Sequence, residues 1–107
     1  MSPWGIYALA LSVTVVVETG LACLLRRDKV RRLLVDVPLM NLFTHPLLHL
    51  AMGQGLHVVP GELMVMAVES LLYRRVTGLS WAWSLGLGIG LNAVTWSLGP
   101  LFAHLVA

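Results

Sequence analysis

Apolar residues run almost unbroken through four stretches of this chain, roughly 4–25, 33–52, 57–76 and 81–106. About 20 helical residues cross a bilayer core, so each stretch is long enough to span one. Gly53-Gln54-Gly55 marks the break between the second and third stretches, and Thr77-Gly78 the break between the third and fourth. The polar residues left inside the stretches recur at helical spacing. Tyr7, Leu11, Thr14 and Glu18 share one face of the first, and Asn41, His45 and His49 one face of the second. Glu62, Met66, Glu69 and Tyr73 do so on the third, and Ser84, Gly88, Asn92, Thr95 and Gly99 on the fourth. One polar or small face per helix predicts a closed four-helix bundle, polar inside and apolar outside. The expected fold is therefore an all-α membrane protein, a single bundle over residues 1–107. Pro38 and Pro46 have no N–H and crowd the carbonyls of Leu34 and Leu42, so the second helix should bend.

Composition agrees with that pattern. Of the 107 residues 58% are hydrophobic and 11% charged, far below the roughly 25% charged content of soluble domains. All seven bases fall in two clusters, Arg26, Arg27, Lys29, Arg31 and Arg32 and then Arg74 and Arg75. Such clusters read as cytoplasmic anchors at a membrane surface, which puts both termini outside; no basic face extends beyond them to fit nucleic acid. Trp4, Trp81 and Trp83 suit the two interfaces. The single Cys23 excludes an intramolecular disulfide. The first stretch carries Glu18 and is followed by Arg26-Arg27, so it reads as a retained helix and not as a signal peptide.

The chain also matches itself at an offset of 51: Val17-Glu18-Thr19 falls on Val68-Glu69-Ser70, and Asn41 and Thr44 fall on Asn92 and Thr95. Each half then is a helical hairpin carrying Glu, Asn 23 residues on and Thr three further. Two tandem hairpins of equal orientation imply a pseudo-twofold axis along the membrane normal, a parallel repeat. Folding at the three loops brings Glu18, Asn41, Glu69 and Asn92 into one layer, roughly 8–12 Å from the basic clusters at 1.5 Å rise per residue.

Two chemistries follow. Within the layer a carboxylate costs about 2.5 kcal/mol or more in lipid if unpaired, so Glu18 and Glu69 either hydrogen-bond to the asparagines as interhelical glue or bind a proton or cation. His45, His49 and Glu62 break the repeat, since their counterparts are Trp96, Pro100 and Leu11. Histidines at i and i+4 with a carboxylate on the facing helix can ligate a divalent metal such as zinc. Such a site, in the outer half of the bundle, would weaken below about pH 6 as the imidazoles protonate. The competing role for the same residues is interhelical hydrogen bonding or proton transfer. His104 lies near that outer level as a fourth ligand or an interfacial residue, and His57 falls in the outer loop. No nucleophile–base pair, H-E-x-x-H or paired haem histidines stand out, and Met40, Met52, Met64 and Met66 read as packing.

As a set, Glu18-Thr19-Gly20, the N-x-x-T-[H/N]-P run Asn41–Pro46, the E-x6-E pair Glu62 and Glu69 with Tyr73-Arg74-Arg75, Asn92 to Thr95, and Gly99 resemble a group of small multi-pass bacterial membrane proteins. The resemblance implies an inner-membrane location and carries no activity. The residues themselves support a small polytopic protein binding or moving a small cation at an intramembrane polar site, in a homo-oligomer if it transports. The alternative is a non-catalytic accessory subunit docking on a larger membrane partner through the G-x-x-x-G of Gly86 and Gly90.

Overall fold

The computed structural model describes the backbone of residues 2–106 and the side chains of residues 2–98. Four helices account for nearly all of it: α1 (Pro3–Leu25), α2 (Val30–Gly53), α3 (Val58–Leu72) and α4 (Trp81–Val106). α1 starts where Ser2 accepts from the Gly5 N–H at 3.0 Å and Pro3 takes the first helical position. A 3-10 turn over Arg27–Lys29 joins α1 to α2. There the Arg26 guanidinium donates to both Asp28 carboxylate oxygens, at 3.0 and 2.8 Å, and holds that carboxyl below its usual range. α2 starts three residues earlier than the apolar run suggests. Arg32 can point outward while its guanidinium reaches Asp36 one turn on, at 2.9 Å, so a charged first turn still forms helix. The helix then continues through both Pro38 and Pro46.

Gly55 turns α2 into α3 with φ +107°, and the His57 ring accepts from the Val59 N–H to cap α3. His57, expected in the outer loop, is thus a helix cap. α3 ends in a five-residue π turn, Tyr73–Thr77. Gly78, at φ +78°, and Leu79 both return their N–H to the Tyr73 carbonyl, which closes that turn. Asp36 holds it from the side, accepting from Thr77 at 2.8 Å, while Arg32 donates to the Val76 carbonyl. The wide turn therefore depends on a buried carboxylate of α2. Asp36→Ala should cost about 1.5–3 kcal/mol, the range for hydrogen bonds to a charged group. It should also raise hydrogen exchange at Tyr73–Thr77 above that of α3; unchanged exchange there would mean that the turn stands without Asp36.

Each helix packs on its neighbour in sequence, and α1 closes the ring against α4. The two basic turns meet at one end of the bundle, where Arg26 lies over the Trp83 ring at 4.8 Å and Arg74 over Trp81 at 5.6 Å. Ala22, Leu33, Val37, Met40, Tyr73, Leu79, Leu87 and Leu91 form a buried apolar cluster. Beside it a run of polar side chains is equally buried: Glu18, Asp36, Asn41, Thr44, Glu69, Ser70, Thr77, Ser84 and Asn92. The outside is the reverse, with Trp4 73%, Val16 71% and Leu50 65% exposed. α1 and the segment Arg27–Gly53 are each long and apolar enough to cross a membrane.

Candidate functional site

The buried polar residues are not scattered; the helical periodicity turns one from each helix toward the same point. Glu18 of α1, Asn41 of α2 and Asn92 of α4 are 0% exposed, and Glu69 of α3 is 1% exposed. Glu69 accepts from Thr44 Oγ1 at 2.6 Å on Oε2 and from Asn92 Nδ2 at 2.8 Å on Oε1. Glu18 accepts from Thr95 Oγ1 at 2.9 Å on Oε1, with the Asn41 side chain against the same carboxyl. Glu69 thus accepts from the asparagine of its own half of the chain and the threonine of the other half, while Glu18 accepts from the threonine of the other half and has the asparagine of its own half beside it. The asparagines are steadied along their own helices, Asn41 by the Val37 carbonyl at 3.0 Å and Asn92 by the Gly88 carbonyl at 2.7 Å. The single hydroxyl hydrogen of Thr44 has the Met40 carbonyl at 2.9 Å as an alternative acceptor, and that of Thr95 the Leu91 carbonyl at 3.2 Å.

The histidine stripe of α2 divides. His45 turns inward, and one ligand atom from each of Glu18, His45 and Glu69 lies within 4.8 Å of the other two. His49 turns toward α1, stacking on the Tyr7 ring at 4.4 Å between centroids, with Trp4 at 6.2 Å. Glu62 is half-buried on α3 and makes no hydrogen bond among the described residues. The expected outer set of His45, His49 and Glu62 therefore does not converge. The only group of three potential ligands among the described residues is Glu18, His45 and Glu69. The reason is angular: positions i and i+4 are about 40° apart on a helix. That is enough to send one ring to the bundle centre and the next to an aromatic neighbour. His104 and Gly99 lie outside the described side chains.

Several acceptors in this centre lack a donor. Glu18 Oε2, His45 Nε2, Asn41 Oδ1 and Asn92 Oδ1 are buried and unpartnered, as are Tyr7 OH and Thr19 Oγ1 elsewhere on α1. Buried acceptors left open cost about 1–3 kcal/mol each unless something fills them. A crevice of about 290 Å³ runs between α2 and α3 beside the centre, lined by Phe43, Leu47, Met64 and Val68 among others, and Thr44 is its single polar wall.

The periodicity placed Glu18, Asn41, Glu69 and Asn92 inside, and the match at an offset of 51 singled out the two threonines. It missed two things. One is Asp36, whose signal was the Arg32–Asp36 pair at i, i+4. The other is the membership of His45 in the glutamate layer, for which its position one turn above Asn41 was the available cue. No family model, curated protein or solved structure matches this chain.

Proposed function

We propose that this chain is a four-helix membrane bundle of two tandem hairpins that binds a small cation at a polar centre within the bilayer. The observation that carries the reading is the pair of buried glutamates, Glu69 held by Asn92 and Thr44 and Glu18 by Thr95 with Asn41 beside it, next to polar atoms with no partner of their own. Two carboxylates a few ångströms apart in a low-dielectric interior repel strongly, and a cation or proton between them relieves that repulsion. The exchange of partners between halves also favours a true repeat over chance similarity, because it is what a twofold axis requires.

Membrane insertion has its own support. A surface of Trp, Leu, Val and Ile around an interior about half of which is Glu, Asp, Asn, Ser and Thr is unlike a water-soluble domain. α3 has 15 residues, and its π turn adds five. At roughly 1.5 Å per residue the two together approach the 30 Å of a hydrocarbon core. Both basic turns lie at one end, so the termini share the other side, outside by the positive-inside rule. In a Cys23→Ser background, cysteines placed at Ser2 and at Lys29 should label from opposite sides of intact cells. Labelling of both from outside would overturn this topology.

Cation binding is tested on the purified protein by equilibrium dialysis against labelled mono- and divalent ions, together with measured proton uptake. Glu18→Gln should abolish the uptake of whichever cation binds. If wild type takes up none and differs in no way from Glu18→Gln, the cation reading fails. The accessory reading would then take its place: Cβ atoms at Gly86 and Gly90 would meet nothing within 4 Å, so that face of α4 is open to another helix. A stoichiometric membrane partner lost on Gly86→Leu would identify it.

A further inference from the structure

We propose that Glu18, His45 and Glu69 form a three-ligand site for a borderline divalent metal ion, with Zn²⁺ the ion their donor atoms fit best. This rests on the cation-binding reading above and goes further, naming the class of ion and the atoms that hold it.

The three donors come from three helices, so bringing them together is a property of the fold and not of one local motif. Their ligand atoms lie within 4.8 Å of one another. Zinc bonds of 2.0–2.2 Å in a tetrahedron separate the ligand atoms by about 3.3 Å, so each donor needs to close by less than about 1 Å. Side-chain torsions supply that without moving a helix. Two of the donors already have the open lone pair that a metal needs. Glu18 is 0% exposed, yet its Oε2 has no partner, and His45 Nε2 is buried without one. The other oxygen of Glu18 is taken by Thr95, which fixes the carboxylate and leaves Oε2 to the centre. Thr44 and Asn92 fix Glu69 in the same manner, the outer-shell support that metal-bound carboxylates characteristically receive.

Charge and donor type select the ion. Two carboxylates and a neutral imidazole hold a divalent cation with no net charge left, the least costly state inside hydrocarbon. A monovalent ion would leave a negative charge there. Magnesium and calcium seek six or more oxygen ligands, whereas one imidazole and two carboxylates leave an open fourth position of the kind zinc accepts. Imidazole with carboxylate is a donor set for borderline first-row metals.

The test uses the full chain in detergent, dialysed against Zn²⁺ and assayed for metal content. The expected result is about one zinc per chain, retained in excess Mg²⁺ and Ca²⁺, with Co²⁺ giving the visible bands of a tetrahedral site. Glu18→Gln and His45→Ala should each weaken binding by more than the roughly 10–100-fold that loss of a supporting partner costs. His49→Ala and Glu62→Gln should bind as wild type does. Should His45→Ala fail to fold, X-ray absorption on zinc-loaded wild type decides: a single imidazole supports the site, and two or none overturn it. The proposal is also overturned if His45→Ala binds like wild type or if His49→Ala abolishes binding. If wild type holds no zinc while proton uptake sensitive to Glu18→Gln persists, the metal site falls and cation binding stands. Loss of both removes both readings.

Discussion

Gly88→Ala should destabilise the bundle by about 1–3 kcal/mol or more, the range for forcing extra volume into a packed interior. A Cβ at Gly88 would come within 2.7 Å of Ser70 N and 2.8 Å of Ser70 Cα, with Ser70 Oγ nearer still. Backbone atoms cannot swing aside as a side-chain tip does, so α3 and α4 must separate. Separation also pulls Asn92 from Glu69, because Asn92 bonds to the Gly88 carbonyl and to Glu69 with the same amide nitrogen. The damage therefore reaches the polar centre, and cation binding should weaken along with stability. Gly86→Ala, two residues away, is the control. Its Cβ meets nothing within 4 Å, so the substitution should be neutral or gain up to about 1 kcal/mol from helix propensity. Thermal unfolding in detergent, followed by tryptophan fluorescence, reads both. Equal behaviour of the two variants would mean that α3 and α4 do not touch at Ser70. At the offset of 51, Ser70 and Gly88 fall on Thr19 and Val37. The hairpin of α3 and α4 thus gains its close approach by having no side chain where α2 carries valine.

The two glutamates should respond in opposite directions to the same substitution, although they fall on one another at the offset of 51. Glu69 has one donor on each oxygen, and Glu69→Leu leaves an amide hydrogen of Asn92 without an acceptor. A loss of about 1–3 kcal/mol is expected. Glu18 accepts one bond and keeps Oε2 empty, while Thr95 has the Leu91 and Asn92 carbonyls as alternative acceptors. Glu18→Leu removes an unsatisfied buried oxygen and a charge repelled by Glu69, so the metal-free protein should lose nothing in stability or gain. Cation binding should disappear in both variants. A residue whose removal stabilises the fold while ending binding is held for function and not for folding. Glu62→Leu should leave stability unchanged, because Glu62 has no hydrogen-bond partner among the described residues. If Glu18→Leu proves as damaging as Glu69→Leu, both carboxylates are interhelical glue and the site loses its functional standing.

Much of this was legible along the chain. Glu18 and Glu69 sit inside apolar runs that no exposed charge would tolerate, and their spacing to Asn41 and Asn92 fixes which face each must occupy. Helix ends were legible as well, to within one residue at α1 and α4 and three at α2, because Pro, Gly and the basic clusters punctuate the runs; α3 ends four residues early, where the π turn takes over. The π turn was not, since nothing local demands it; it depends on Asp36, 41 residues away from Thr77 in the chain. Nor was the destination of His49, which is set by a stacking partner on α1.

Periodicity alone determined that the chain forms four helices, that each has one polar face, and that the glutamates and asparagines point inward. That information lies within a turn or two of each residue, where the 3.6-residue repeat relates position to angle. Folding at the loops brought the glutamates and asparagines into one layer; that His45 joins them and His49 does not was decided only in the assembled bundle. Sequence fixes the angle of a side chain about its own helix axis. It does not fix the axial slide or rotation of one helix against the next, which follow from contacts such as Gly88 against Ser70. Those set the depth at which His45 joins Glu18 and Glu69, and the angle that turns His49 away from them.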